Sequence, residues 1–173
     1  MRKGFSLLEL LLVIFIVSMV YFLGFEGLQK PKSLTAVLTP NTLKPTLLKS
    51  GLFEQGGIFL CTNQCSTCYY KSAWETTFKP YEGKVALKDA KTYFLNRQKE
   101  LEERDYGRFQ DQKICLIIQF YPNKSTTPII LEHADRLYLI PSYLGKSRTF
   151  NSLGDLKHFL TEDAKILQNG DFY

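Results

Sequence analysis

The chain is poor in the residues on which most hydrolytic, redox and metal chemistry depends. Its 173 residues include two histidines, His133 and His158, one tryptophan and two methionines. The histidines are too isolated to form a cluster, and each reads as a surface or edge residue. No P-loop, G-x-S-x-G elbow, H-E-x-x-H run or dinucleotide fingerprint occurs. Asp89, Glu100, Glu102, Glu103 and Asp105 read as a solvated acidic face rather than a catalytic carboxylate pair. An enzyme is therefore not expected, and no cofactor is called for. Charge of one sign is also scarce: the formal net charge is +5, and Arg2 and Lys3 supply two of those charges. That excess is too small and scattered to indicate nucleic acid. Lys84, Lys88, Lys91 and Arg97 lie near Tyr93 and Phe94 in sequence and could grip a single strand by stacking. Exposed lysines on an ordinary sheet are the simpler account.

What is present is a foldable composition with one anomaly. Hydrophobic residues make up 45 % and charged ones 23 %, which excludes a wholly disordered chain, and the length suits one domain of ordinary size. The mean hydropathy of −0.15 averages one very apolar block with a polar remainder. That block, 5–25, reads FSLLELLLVIFIVSMVYFLGF and is interrupted only by Ser6, Glu9, Ser18 and Gly24. As a helix it would extend about 31 Å, close to the ~30 Å hydrocarbon thickness of a bilayer. It predicts a membrane-spanning helix. A cleaved secretory signal fits less well, because the run is long for an apolar core, carries Glu9 and lacks a small-x-small site near its end. A carboxylate at such a depth costs on the order of 2–3 kcal/mol and calls for a partner from outside the helix.

Residues 2–10, RKGFSLLEL, resemble the prepilin processing site of type IV pilins and pseudopilins: a glycine, a phenylalanine, a hydroxyl residue, two leucines and a glutamate. The resemblance covers about 26 residues and says nothing of the rest. In that family a membrane-embedded prepilin peptidase cuts after the glycine and methylates the new amino terminus. The resemblance thus implies cleavage between Gly4 and Phe5, N-methylation of Phe5, and an assembly role for Glu9. Glu9 would pair with the amine of a neighbouring subunit. The implied partners are prepilin peptidase, other pilin-like subunits, an inner-membrane assembly platform and the membrane itself. The implied location is the bacterial inner membrane, single-pass, with a periplasmic head, or a pilus or pseudopilus. Type II secretion, a type IV pilus and DNA uptake are not separated. Pro31, Pro40 and Pro45 depart from the long helical spine common in the family, because proline ends or bends a helix. A minor or accessory subunit fits this better than a major one.

The expected organisation is a leader over 1–4, a transmembrane and assembly helix over 5–30, a mostly extended linker over 31–50 and a periplasmic globular domain over 51–173. In that domain an apolar run at 58–61 follows a Gly-Gly turn, and KICLIIQFY at 113–121 is the strongest predicted strand. Strands at 127–132 and 137–140 follow, the first pairing back on 113–121 through the turn at 122–126. Residues 88–104 read as a hairpin turning near 97–99. Ser152 is a candidate N-cap with Asp155 three residues on, and Leu153, Leu156, Leu160, Ala164 and Leu167 share one helical face before Asn169-Gly170. The fold class is α+β: an N-terminal spanning helix, a small antiparallel sheet domain and a C-terminal helix, pilin-like in outline.

Cys61, Cys65, Cys68 and Cys115 are the only cysteines. In an oxidising compartment an even count indicates two disulfides, and spacing does not choose among the three connectivities. A four-thiolate zinc site built from the same residues, or free redox-active thiols, are the alternatives. The second functional reading follows from them: a single-pass anchored periplasmic domain whose cysteine cluster binds metal or does redox work.

Overall fold

In β-rich sequence the side chains alternate between two faces, and here both faces of one sheet are covered. The structure is a computed structural model. It describes residues 7–26, 36–98, 100–143 and 145–169, with side chains over 7–21 in the first helix and up to 162 in the last. The chain divides into two units, Met1–Ser33 and Leu34–Tyr173.

The first unit contains helix α1, Leu7–Glu26. No helix among the described residues is long and apolar enough to cross a membrane, which corrects the expected spanning helix over 5–25. Phe5 and Ser6 lie outside the described residues, and the helix as described runs over 7–26. Glu9 stands in its first turn.

The second unit holds two five-stranded sheets. The first comprises β1 (Gly57–Thr62), β2 (Thr67–Ser72), β3 (Lys79–Pro80), β6 (Arg108–Phe109) and β7 (Gln112–Phe120), in the order β3-β2-β1-β7-β6. The second comprises β4 (Lys91–Leu95), β5 (Leu101–Glu103), β8 (Ile129–His133), β9 (Arg136–Ile140) and β10 (Arg148–Phe150), in the order β10-β9-β8-β4-β5. All strand pairings between these elements are antiparallel. Phe59, Leu116, Ile118 and Phe120 from the first sheet share one core with Ile129, Leu131, Tyr138 and Ile140 from the second. The alternate residues Ile130 and Leu137 face the other way and pack with Leu156 of helix α3 (Leu153–Asn169). A one-residue slip in β8 would exchange these two apolar sets.

Three expectations are corrected. The segment at 127–132 does not pair back on 113–121. The hairpin begins, with Thr127 N–H donating to Gln119 O at 3.0 Å and a bridge between Phe120 and Thr126. After Pro128 the chain crosses to the second sheet, where Ile129 opposes Ile140 and Tyr93 opposes Ile130. Apolar side chains on both faces of β8 account for this: a strand buried on both sides satisfies both sets only between two layers.

The expected linker, so far as it is described, belongs to the core. Leu38 bridges Val85 in parallel, and Leu38, Leu43 and Leu47 are fully buried. Leu43–Lys49 forms helix α2 with Pro45 in its first turn, where a missing N–H deprives no intrahelical bond. Pro31 lies outside the described residues.

On α3 the cap is as expected: Ser152 Oγ accepts the Asp155 N–H at 3.0 Å. Leu156 is fully buried and Leu160 packs beside it, but Leu153 is 52 % exposed. The side chains of Ala164 and Leu167, and Gly170 itself, lie outside the described residues. The hairpin at 88–104 forms as β4 and β5, with Leu95 opposite Leu101. The Gly-Gly turn before β1 is demanded by the backbone. Gly56 has φ +85°, and a Cβ there would sit 2.9 Å from Phe120 O.

Candidate assembly interface and the disulfide-braced head

Helix α1 is apolar on every side, so it has no polar face to offer water. Every described side chain from 7 to 21 is exposed: Leu7 to 79 %, Phe15 to 72 %, and even the least exposed apolar one, Val17, to 46 %. Contiguous apolar surface of this kind marks a contact with something else. Ser18 turns its hydroxyl inward, donating to Ile14 O at 2.8 Å, which removes one of the few polar groups from the surface. Glu9 lies in the first turn, where a carboxylate is favoured by the helix dipole. The candidate cleavage residues Gly4 and Phe5 lie outside the described residues.

In the head, the four cysteines form two disulfides, Cys61–Cys68 and Cys65–Cys115. No free cysteine remains, so the alternative zinc site on Cys61, Cys65, Cys68 and Cys115 is corrected: no thiolate is left to bind metal. The local reason is the β1–β2 hairpin. Cys61 and Cys68 are directly opposed partners across it, and its tip runs through Asn63, Gln64 and Cys65 with φ of 50°, 53° and 61°. Three consecutive non-glycine residues in the left-handed region each cost on the order of 1–2 kcal/mol. The surroundings hold the tip: Asn63 O accepts the Ser66 N–H at 3.0 Å, Gln64 O accepts the Asp89 N–H at 2.8 Å, and Cys65 is bonded to β7 through Cys115.

A cleft of ≈240 Å³ opens beside Cys115, with Lys91, Arg104 and Lys113 facing Asp89 and Glu103. Charges of both signs line it, and Lys113 Nζ pairs with Glu103 at 3.2 Å. The other acidic residues of the expected solvated face, Glu100, Glu102 and Asp105, are exposed. Lys84, Lys88, Lys91 and Arg97 are exposed too, but the two rings do not form one platform with them. Tyr93 packs with the α3 cluster, whereas the neighbouring Phe94 carries the Arg104 guanidinium 5.6 Å above its ring. His133 is half-buried at the end of β8, and the exposed His158 lies 3.5 Å from Glu162.

Tyr93 sets a pH limit on the second sheet. Burial, and then its hydrogen bond to Glu132 Oε2 at 2.5 Å, push its phenol up to about 12. Burial raises Tyr81 and Tyr106 as well. Above pH 10 the unfolded phenol loses its proton while the folded one keeps it, so folding becomes less favourable as pH rises. Stability is expected to be complete below about pH 10 and to fall progressively towards pH 12. Urea titrations followed by circular dichroism between pH 8 and 12 check this, with Tyr93→Phe giving a shallower decline.

The chain matches no protein-family model, no curated protein and no solved structure.

Proposed function

We propose that the chain is a pilin-like subunit, a pseudopilin or minor pilin whose activity is assembly. The reading rests on one observation: a helix whose described side chains, 7–21, are exposed and apolar around its whole circumference, and which includes the last three residues of the RKGFSLLE run. Such a surface is stable in water only when covered, and a bundle of like helices from other subunits covers it with matching chemistry. Glu9 within an otherwise apolar stretch gives that bundle one polar contact per subunit with which to fix register. Processing by prepilin peptidase at Gly4-Phe5 would supply the positive amine at Phe5. The head would then stand on the periplasmic side or in a pilus or pseudopilus, where an oxidising medium suits its two disulfides. An assembly platform and other pilin-like subunits are the partners, for secretion, a pilus or DNA uptake.

The test is the intact mass of the protein purified from its native host. The expected species lacks 1–4, carries one added methyl group and is four hydrogens lighter for its two disulfides. A chain that still begins at Met1 or Arg2 would overturn the reading.

A further inference from the structure

The connection between β9 and β10 lies against α2, and a buried ammonium joins them. Lys44 is only 5 % exposed. Its Nζ donates to the carbonyl oxygens of Pro141 and Tyr143, each at 2.6 Å. Lysine has three N–H groups, and the third meets no acceptor among the described residues. No carboxylate among them stands within ion-pair distance of it either. Burial lowers the pKa of Lys44, and no acidic neighbour offsets that effect. A buried cation without an anion is costly, which makes the open space beside it informative.

Lys44 lines a cleft of ≈640 Å³ together with Pro45, Leu48, Tyr143, Lys146 and Ser147. Among the described residues no aspartate or glutamate lines it. The adjoining cleft shares Lys146 and Ser147, adds Arg148, and has no acid among the described residues that line it. Two lysines therefore line a partly apolar hollow of the size of a small-molecule site, with Arg148 in the adjoining cleft stacked on Phe159.

We propose that this cleft binds a small organic carboxylate carried on an apolar or aromatic body, its oxygens meeting Lys44 and Lys146 and its body lying on Pro45, Leu48 and Tyr143. A carboxylate fits better than a phosphate ester. Two of the three N–H groups of Lys44 are already engaged, and Lys146 and Ser147 add only separate point donors, a set suited to the two oxygens of a carboxylate rather than to the three terminal oxygens of a phosphate ester. The inference is independent of the assembly reading, since it uses only residues of the head.

The experiment titrates the isotopically labelled full chain with 3-phenylpropionate, 3-phenylpropan-1-ol and phenyl phosphate, following backbone amide signals at 41–48 and 145–149. Expected are saturable shifts with 3-phenylpropionate and roughly tenfold or weaker binding of the alcohol, which keeps the ring and loses the charge. Lys146→Ala, at an exposed position, should weaken binding by about threefold or more and leave all other signals in place. Lys44→Met should weaken it by about tenfold or more. The proposal is overturned by the absence of saturable shifts at about 10 mM ligand, by equal binding of alcohol and acid, or by Lys146→Ala binding like the parent. Tighter binding of phenyl phosphate than of the carboxylate overturns the assignment of ligand class.

Discussion

Replacing Cys65 and Cys115 together by serine is expected to lower the unfolding free energy by about 4 kcal/mol, because their bond closes a loop of 50 residues in the unfolded chain. The same exchange at Cys61 and Cys68 closes a loop of only 7 and should cost about 2 kcal/mol in the same chain-entropy account. The first loss is a large part of a typical ~5–15 kcal/mol total. Its consequences are also more than entropic. The Cys65–Cys115 bond holds the left-handed tip of the β1–β2 hairpin against β7, and releasing it lets Asn63, Gln64 and Cys65 relax out of positive φ. Relaxation of the tip should also free Asp89, whose N–H donates to Gln64 O. Urea unfolding of the full chain, kept monomeric in a non-ionic detergent, measures both losses. Equal losses from the two double variants would show that loop closure is not the source of the stabilisation.

What could be read from the sequence follows from how local each signal is. The run 113–121 alternates around an apolar set that ends buried at Ile114, Leu116, Ile118 and Phe120, so β7 is visible from period alone. Ser152 and Asp155 identify the start of α3 because a cap is a contact between near neighbours. The destination of β8 was not visible. Thr126 and Thr127 make the first contacts of a hairpin with β7, and only the tertiary demand of Ile130 on the α3 side draws the strand into the second sheet. Pro45 hides helix α2, because proline in sequence signals a break, although here it occupies the first turn. The spacing of Leu43 and Leu47 was the available signal.

The candidate sites divide along the same line. The four cysteines were legible as a group, but their connectivity depends on a hairpin that brings Cys61 opposite Cys68 and turns Cys65 towards β7. The length of the N-terminal apolar run predicts a membrane span, whereas no helix among the described residues is long and apolar enough for that. Lys44 gave no sign at all. A lysine beside a proline in a stretch read as linker looks solvated, and its burial arises only when the carbonyls of Pro141 and Tyr143, nearly a hundred residues away, close over it.

Exchanging Glu9 for glutamine is expected to leave processing intact and to reduce co-assembly with wild-type subunits by about a hundredfold or more. Apolar side chains surround α1, so two such helices can slide past one another by a turn, about 5.4 Å, and bury similar surface in either position. Register must come from a group that tolerates only one position. In the proposed bundle that group is Glu9, facing the Phe5 amine of a neighbouring subunit. Removing one partner of a buried ion pair costs roughly 3–5 kcal/mol, which corresponds to at least about a hundredfold in association. Gly4→Arg, by blocking cleavage, withholds the amine and should produce the same deficit. Because both changes break a single pair, the double variant should assemble no worse than either single one. Co-purification on a tagged wild-type subunit measures all three, with intact mass reporting cleavage in each sample. Wild-type incorporation of Glu9→Gln would remove the pairing from the account, and additive losses in the double variant would show that Glu9 and the processed terminus act at separate contacts.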